Sequence, residues 1–333
     1  MPDLITHYLF GQEALKQLPK QKQIEAYRAN YDLGCNGPDY FFYYRLLPWQ
    51  KDKEKNLVHQ YGNLLHNHSI QDYFTYMFTY LKNHQEDQGL YAYMVGYLMH
   101  YFLDRHAHPY IFYFSGVQDE NQEHRIYKYY HKRFEVAVDE RMLEQREHTN
   151  IKAFHPASII RPQEMTMDSI YDFVSVVLKD VYQQTLTRQQ FETCIYDFKR
   201  DLQLLYSKGK TKKKLMLWIE KTFHLDPLVS TAMYSIEVET IDYLNKEHRP
   251  WSDPCFKEKI SNESFIDLYE KALKECVKFI CRLDHYLEGE ETLETLLGII
   301  DGRCFDTNQK EDVKMYYSDC VYERGTYGSK RDI

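Results

Sequence analysis

GYLMHYFLDRHAHPY (residues 96–110) sets His100, Asp104 and His108 at four-residue intervals inside an otherwise apolar and aromatic run. In an α-helix, positions four apart lie within roughly 40° of one another, so these three side chains share one face. Burying two imidazoles and a carboxylate beside Tyr97, Leu98, Phe102 and Leu103 is costly unless they pair or converge on a cation. The spacing predicts a core helix with a polar task. Pro109 disfavours helical geometry at the residue before it. The expectation is therefore that the helix ends at His108, whose ring reaches beyond the last turn. His106 falls off the shared face and reads as a supporting or solvated residue.

Working outward, apolar residues recur at three- and four-residue spacing through most of the chain, as in SIYDFVSVVLKDVYQQTL (169–186) and SFIDLYEKALKECVKFICRLDHYL (264–287). Only 13 glycines and 10 prolines interrupt 333 residues, and no Val/Ile/Thr alternation is bracketed by Asn-Gly or Asp-Gly turns. The fold class is all-α, in a chain long enough for one large or two ordinary domains.

With 42 Lys+Arg against 50 Asp+Glu, the net charge is −8, which argues against a general affinity for nucleic acid. MPDLITHYLF has no basic stretch followed by an apolar one, and no window approaches ~18 continuous apolar residues, so the expected location is cytoplasmic. Seven scattered cysteines without a CxxC pair fit reduced thiols. Twelve of 15 histidines lie in the first 155 residues, which places the chemistry there. The polar, breaker-rich segment 148–165 suggests a catalytic core over 1–155, a helical extension over 156–325, and a disordered tail over 326–333. SKGKTKKK (207–214) reads as a solvated loop, or as a patch for phosphate or an anionic membrane surface.

A second constellation repeats the first. In YYHKRFEVAVDE (129–140), His131 and Glu135 are one helical turn apart, with Asp139 a turn further. A helical HxxxE offers one nitrogen and one oxygen to a single ion, and zinc accepts both. Either pair alone could be an ordinary surface or core pair. Asp39, after Gly-Pro, could occupy a turn, and His66 has His59 and His68 as neighbours of equal standing.

In order along the chain, ITHYLFG (5–11), LGCNGPDYFFY (33–43), GNLLH (62–66), the 96–110 segment and YHKRFEVAVDE (130–140) resemble the zinc-dependent phospholipase C family, of the intracellular bacterial type. This implies a phospholipase C/P1 nuclease-like helical bundle with a C-terminal helical extension, and a cluster of two or three Zn2+ ions that hydrolyses phosphodiester bonds. Carried over by position, Asp39, His66, His100 and Asp104 hold one ion. Asp104 bridges to a second at His7. His108, His131 and Glu135 hold the third. The resemblance also makes Asp39 and Asp104 catalytic, with Asp39 as general base, and puts Tyr40 in the substrate pocket. Divalent cations can neutralise a phosphodiester, stabilise its leaving group and acidify water.

The secreted members begin with a tryptophan whose amino group and carbonyl bind zinc. MPDLITH has none, so the ion at His7 is expected to have a thinner ligand shell. The favoured reading is a phospholipase C-like zinc hydrolase of a phosphodiester, possible phospholipid included, with peripheral membrane contact. Two alternatives stand beside it: a nuclease-like phosphodiesterase, against which DRHAHP departs from the nuclease pattern DxHQPxH, and a non-catalytic metal-binding protein.

Overall fold

The computed structural model describes residues 3–47, 49–117, 126–207, 210–234 and 241–323. Helix accounts for 64% of the described residues. Among the described residues, strand is limited to Trp251–Ser252 paired antiparallel with Ile260–Ser261, so the apolar periodicity is spent on helix packing.

The helices that build the site come from the first half: α1 (Leu4–Leu15), α2 (Gln21–Glu25), α3 (Arg28–Gly34), α4 (Lys55–Asn67), α5 (Ile70–Asn83), α6 (Gln88–Ser115) and α7 (Tyr127–Glu147). A one-turn 3-10 segment, Asp39–Tyr43, lies between α3 and α4. Then follow α8 (Met167–Tyr182), α9 (Arg188–Leu205), α10 (Lys210–Thr222), α11 (Leu228–Ala232), α12 (Phe265–Glu288) and α13 (Leu293–Ile300). The buried apolar residues form a continuous cluster running from Leu4 to Tyr322, with α12 against α6, α8 against α5 and α9 against the Asp39–Tyr43 turn.

Helix α6 is the axis. Asp87 caps it by accepting the Leu90 amide at 2.9 Å, and it is buried almost throughout. The expected stop at His108 is corrected: the helix runs through Pro109 to Ser115. Proline removes one donor and leaves the Arg105 carbonyl without its usual partner. Against that cost, Tyr110 and Ile111 are fully buried. The Tyr110 ring meets Phe134, Trp251 and Phe265, and its hydroxyl donates to the Tyr243 carbonyl at 2.9 Å. Packing outweighs the local preference.

Helices α3 and α6 meet at glycines. A Cβ on Gly34 would lie 2.1 Å from the Tyr93 carbonyl oxygen, and one on Gly96 would lie 2.3 Å from that of Tyr31. Only hydrogen side chains permit this crossing. It brings the loop after α3 to His100, one turn beyond Gly96.

After α13, residues 301–323 run back over the first half as an irregular strap. The Phe305 amide donates to the His66 carbonyl at 3.0 Å, Asp319 to Tyr113 at 2.8 Å and Val321 to Phe114 at 2.9 Å. The tail expected over 326–333 lies outside the described residues.

Candidate metal centre

Five elements supply the polar face. α1 carries His7. Its N-terminal amides are held by Asp139 of α7, which accepts from Ile5 N (2.8 Å), Thr6 N (2.9 Å) and Thr6 Oγ1 (2.6 Å), and from the Tyr234 hydroxyl (2.9 Å). Asp139 thus accepts hydrogen bonds at the N-terminal turn of α1 and fixes α1 to α7, although burial and the neighbouring Asp3 push its carboxyl up to about 7; it is not part of the metal face. The Asp39–Tyr43 turn supplies Asp39. Gly37, at φ +49°, leads into it, and a Cβ there would stand 2.1 Å from the His100 ring. The last turn of α4 supplies His66, α6 supplies His100, Asp104 and His108, and α7 supplies His131 and Glu135.

These side chains converge as three groups whose ligand atoms lie within 4.8 Å of one another: His7, His100 and Asp104; Asp39, His66 and His100; His108, His131 and Glu135. The Asp104 carboxylate faces two groups at once, with Oδ1 3.1 Å from His7 Nε2 and Oδ2 3.0 Å from His100 Nε2 and 3.9 Å from His66 Nε2. Asp39 Oδ1 is 3.3 Å from His66 Nε2 and 4.0 Å from His100 Nε2. In the third group His131 Nε2 stands 2.7 Å from Glu135 Oε1.

The outward nitrogens are oriented by fixed partners. His66 Nδ1 is 2.7 Å from the Gly62 carbonyl, which can only accept, so Nδ1 carries the proton and Nε2 faces the cluster. His131 Nδ1 lies 3.3 Å from Ser115 Oγ, whose own proton goes to the Ile111 carbonyl, so this ring too presents Nε2 inward.

Several of these atoms are buried with no aligned hydrogen bond: both nitrogens of His7 and His108, both oxygens of Asp104, Asp39 Oδ1 and His100 Nδ1. Leaving such groups unsatisfied in an interior is expensive. Divalent cations would satisfy them, and imidazoles plus carboxylates without thiolates suit zinc. The residues present therefore fit a metal cluster. The protonation of His100, His131 and Asp104 fits as well. Burial pushes the His100 imidazole down to about 4 despite the neighbouring Asp104. Burial likewise lowers His131, only partly offset by Glu135. Burial also works against the charge on Asp104, but the imidazoles of His100, His108 and His7 hold its carboxyl well below the usual range. For the coupled His100–Asp104 pair, the imidazole is neutral and the carboxylate charged. Neutral imidazole and ionised carboxylate are the forms that bind metal.

A cavity of about 450 Å³ opens on the groups. Asp39, His66, His108, His131 and Glu135 line it, Lys128 and Lys132 add positive charge, and Phe42, Tyr43, Leu46, Leu47, Phe198 and Leu205 supply an apolar wall. Asp104 is fully buried behind them.

All eight proposed ligands are thus brought together, whereas Tyr40 is not. Its ring is 1% exposed and its hydroxyl sits 3.2 Å from that of Tyr93, so Phe42 and Tyr43, rather than Tyr40, form the cavity wall here. His59 bonds to the Tyr44 carbonyl (2.7 Å), His68 to Glu311 (2.5 Å) and His106 to Glu275 (2.6 Å), which removes all three from the centre. The residue that local spacing could not reveal is Asp306. It lines the cavity from the strap, with Oδ1 2.9 Å from His108 Nδ1 and Oδ2 accepting from Asn67 Nδ2 at 2.7 Å.

The fold and the donor set define an all-α protein with three groups of side chains able to hold metal ions beside a substrate-sized cavity. More narrowly, the chain belongs to the zinc-dependent phospholipase C family, whose model matches residues 6–208, more than half of its length. No curated protein and no solved structure matches it. Family membership implies a zinc-dependent hydrolase and a phospholipid-type substrate. The matched segment contains all eight candidate ligands and runs past the boundary expected near residue 155; Asp306 lies beyond it.

Proposed function

We propose that the protein hydrolyses phosphodiester bonds of phospholipids, phospholipase C-like, at a cluster of two or three zinc ions held by His7, Asp39, His66, His100, Asp104, His108, His131 and Glu135. The observation that supports this most is the set of buried, unsatisfied ligand atoms beside a cavity into which Asp39 and His108 reach and whose lining mixes carboxylates, two lysines and apolar side chains. Bound ions would offset the substrate's negative oxygens and bring a water within reach of deprotonation near pH 7.

The chain's own residues divide the remaining work. Asp39 lines the cavity, so its carboxylate can accept a proton from a water there. Asp104 does not reach the cavity; its role is to hold charge between His7 and His100. Lys132, 2.8 Å from Asp3, stays protonated: burial opposes its charge, but Asp3, Tyr43 and Glu135 outweigh it. An ammonium at that place suits a phosphate oxygen. The apolar wall suits the lipid part.

Contact with a bilayer fits the surface beside the cavity. Among the described residues no helix is long and apolar enough to cross a membrane. On and just after α10, however, Leu215, Trp218, Phe223 and Leu225 are more than half exposed. They lie among Lys213, Lys214 and Lys221, and Val229 and Ala232 of the following helix line the cavity. SKGKTKKK, read from sequence as a loop, continues into this helix. Exposed aromatic and aliphatic residues among lysines are the composition of an interfacial helix.

The deciding experiment gives zinc-loaded protein phosphatidylcholine, other phospholipids, bis-p-nitrophenyl phosphate and single-stranded DNA. Diacylglycerol release well above DNA cleavage is expected. Faster DNA cleavage would replace this reading with the nuclease one. Turnover of none, by protein carrying two or more ions, would leave a metal-binding protein without catalysis.

A further inference from the structure

The third group is incomplete as the matched part of the chain builds it. His66 and His131 each have one ring nitrogen held by an oxygen, which turns the other toward the cluster. His108 has no such partner on its own helix: four residues back is Asp104, committed to His7 and His100, and four residues on is Phe112. An imidazole able to rotate about its Cβ–Cγ bond is a poor ligand, because binding must first select one orientation and one tautomer.

The strap supplies what α6 does not. Asp306 Oδ1 lies 2.9 Å from His108 Nδ1, displaced from the line of an ideal hydrogen bond, while its other oxygen is anchored by Asn67 beside His66. Asp306 does not belong to the set of atoms gathered within 4.8 Å, which comprises His108, His131 and Glu135. It is therefore placed as the outer partner of an imidazole, not as a fourth ligand. The surrounding strap is held independently. Phe305 packs on the His66 and His100 rings at centroid distances of 5.0 and 5.8 Å, and Glu311 accepts from the Ser69 amide at 2.9 Å.

We propose that Asp306 is a positioning residue of the metal centre: it accepts the Nδ1 proton of His108, presents Nε2 to the ion shared with His131 and Glu135, and so makes residues 301–323 a part of the site. An ion held at Nε2 would leave Nδ1–H of His108 for Asp306 Oδ1, 2.9 Å away. The strap lies outside the segment that defines the family, so this chain closes its third group with a piece of its own extension. The inference rests on the reading of His108, His131 and Glu135 as an ion site.

The test measures zinc affinity ion by ion, by competition with a chelator, in the full chain and in the variants Asp306→Ala, Asp306→Asn and Glu311→Gln. Outer-partner loss at a histidine ligand typically weakens metal binding 10–100-fold. Asp306→Ala is expected to lower the affinity of one ion by that factor and leave the others unchanged. Asp306→Asn, which keeps the shape, can still accept through its amide oxygen and should fall between. Glu311→Gln, which loosens the strap without touching His108, should bind all ions as the parent does. Nitrogen-15 spectra of the imidazoles provide a second readout: the Nδ1-protonated form of His108 should be fixed in the parent and mixed in Asp306→Ala. Unchanged affinity and tautomer in Asp306→Ala would overturn the proposal. So would equal weakening of every ion by Asp306→Ala and Glu311→Gln, which would make the strap mere support. A parent chain that binds no ion at His131 and Glu135 would instead remove the ion site itself.

Discussion

Asp104 and Asp306 are both carboxylates set against imidazoles, yet one is sealed inside α6 with no exposed surface and the other hangs from the strap with a quarter of its side chain exposed. Around Asp104, every imidazole comes from residues 7–108, locked by the glycine crossing of α3 on α6 and by the Asp139 anchor of α1. Around Asp306, α6 and α7 need a segment from the far end of the chain. Asp104, His7 and His100 form the part of the centre that does not line the cavity, whereas Asp39 and His66 and the third group line it. On the proposed reading, burial should make the first part the less tolerant of change, and loss of the third group's ion should leave the fold in place.

The strongest way to break this comparison is Asp104→Asn, which keeps the shape but removes the charge shared by two groups. Hydrolysis is expected to fall to background and the ion at His7 to leave first, while His131 and Glu135 retain theirs. Metal counts and phosphodiester assays on one preparation check both halves of the statement. A full metal complement with near-normal turnover would remove Asp104 from its bridging place.

Next in size, His131→Ala or Glu135→Ala should remove one ion and leave the other two groups intact. Site binding contributes folding energy only in the folded state, so the melting temperature in zinc should drop by several degrees. His106→Ala, whose ring pairs with Glu275, should release no metal. Elemental analysis with calorimetry separates the three. His124, the histidine nearest before α7, lies outside the described residues.

A smaller, pH-dependent effect belongs to the buried half. With a folded value of about 4 against 6.5 in an open chain, His100 stays unprotonated between those values while the unfolded chain takes up a proton, so metal-free stability falls as pH drops through that window by up to roughly 3 kcal/mol. His66 works in the opposite sense: burial disfavours its charge, but Asp39, Asp306 and Asp104 outweigh this and raise it. Denaturant titrations at pH 4 to 7 should show a shallower loss in His100→Gln than in the parent. An equal slope would assign the loss elsewhere.

Smallest of all, Tyr40→Phe removes one buried hydroxyl contact, to Tyr93, and should cost about 1 kcal/mol of stability. KM for phospholipid should not move. A raised KM would restore Tyr40 to the substrate pocket, from which its burial excludes it.

Helical spacing made the fold class and five of the candidate ligands legible, His100, Asp104, His108, His131 and Glu135, because a helix converts i,i+4 spacing into a shared face without help from the rest of the chain; His7, Asp39 and His66 came from the family resemblance alone. The same rules misplaced three things. Pro109 reads as a stop by local sterics, and Tyr110 and Ile111 override it by burial in the core. Asp139 reads as the next member of the HxxxE face, yet the amides of Ile5 and Thr6 claim it. Tyr40 follows Asp39 but turns inward, because a 3-10 turn sends successive side chains in different directions.

The sequence by itself thus determined the helices, their polar faces and the chemistry those faces carry, since each depends on residues within a turn or two. Only the tertiary structure decided which faces meet. Only the fold shows His59 turned to Tyr44 and His68 to Glu311 while His66, chosen by resemblance, faces the cluster, and the arrival of Asp306 at His108 depended on a strap that reaches back from beyond α13. Such contacts are set by packing between elements far apart in the chain, and no local periodicity encodes them.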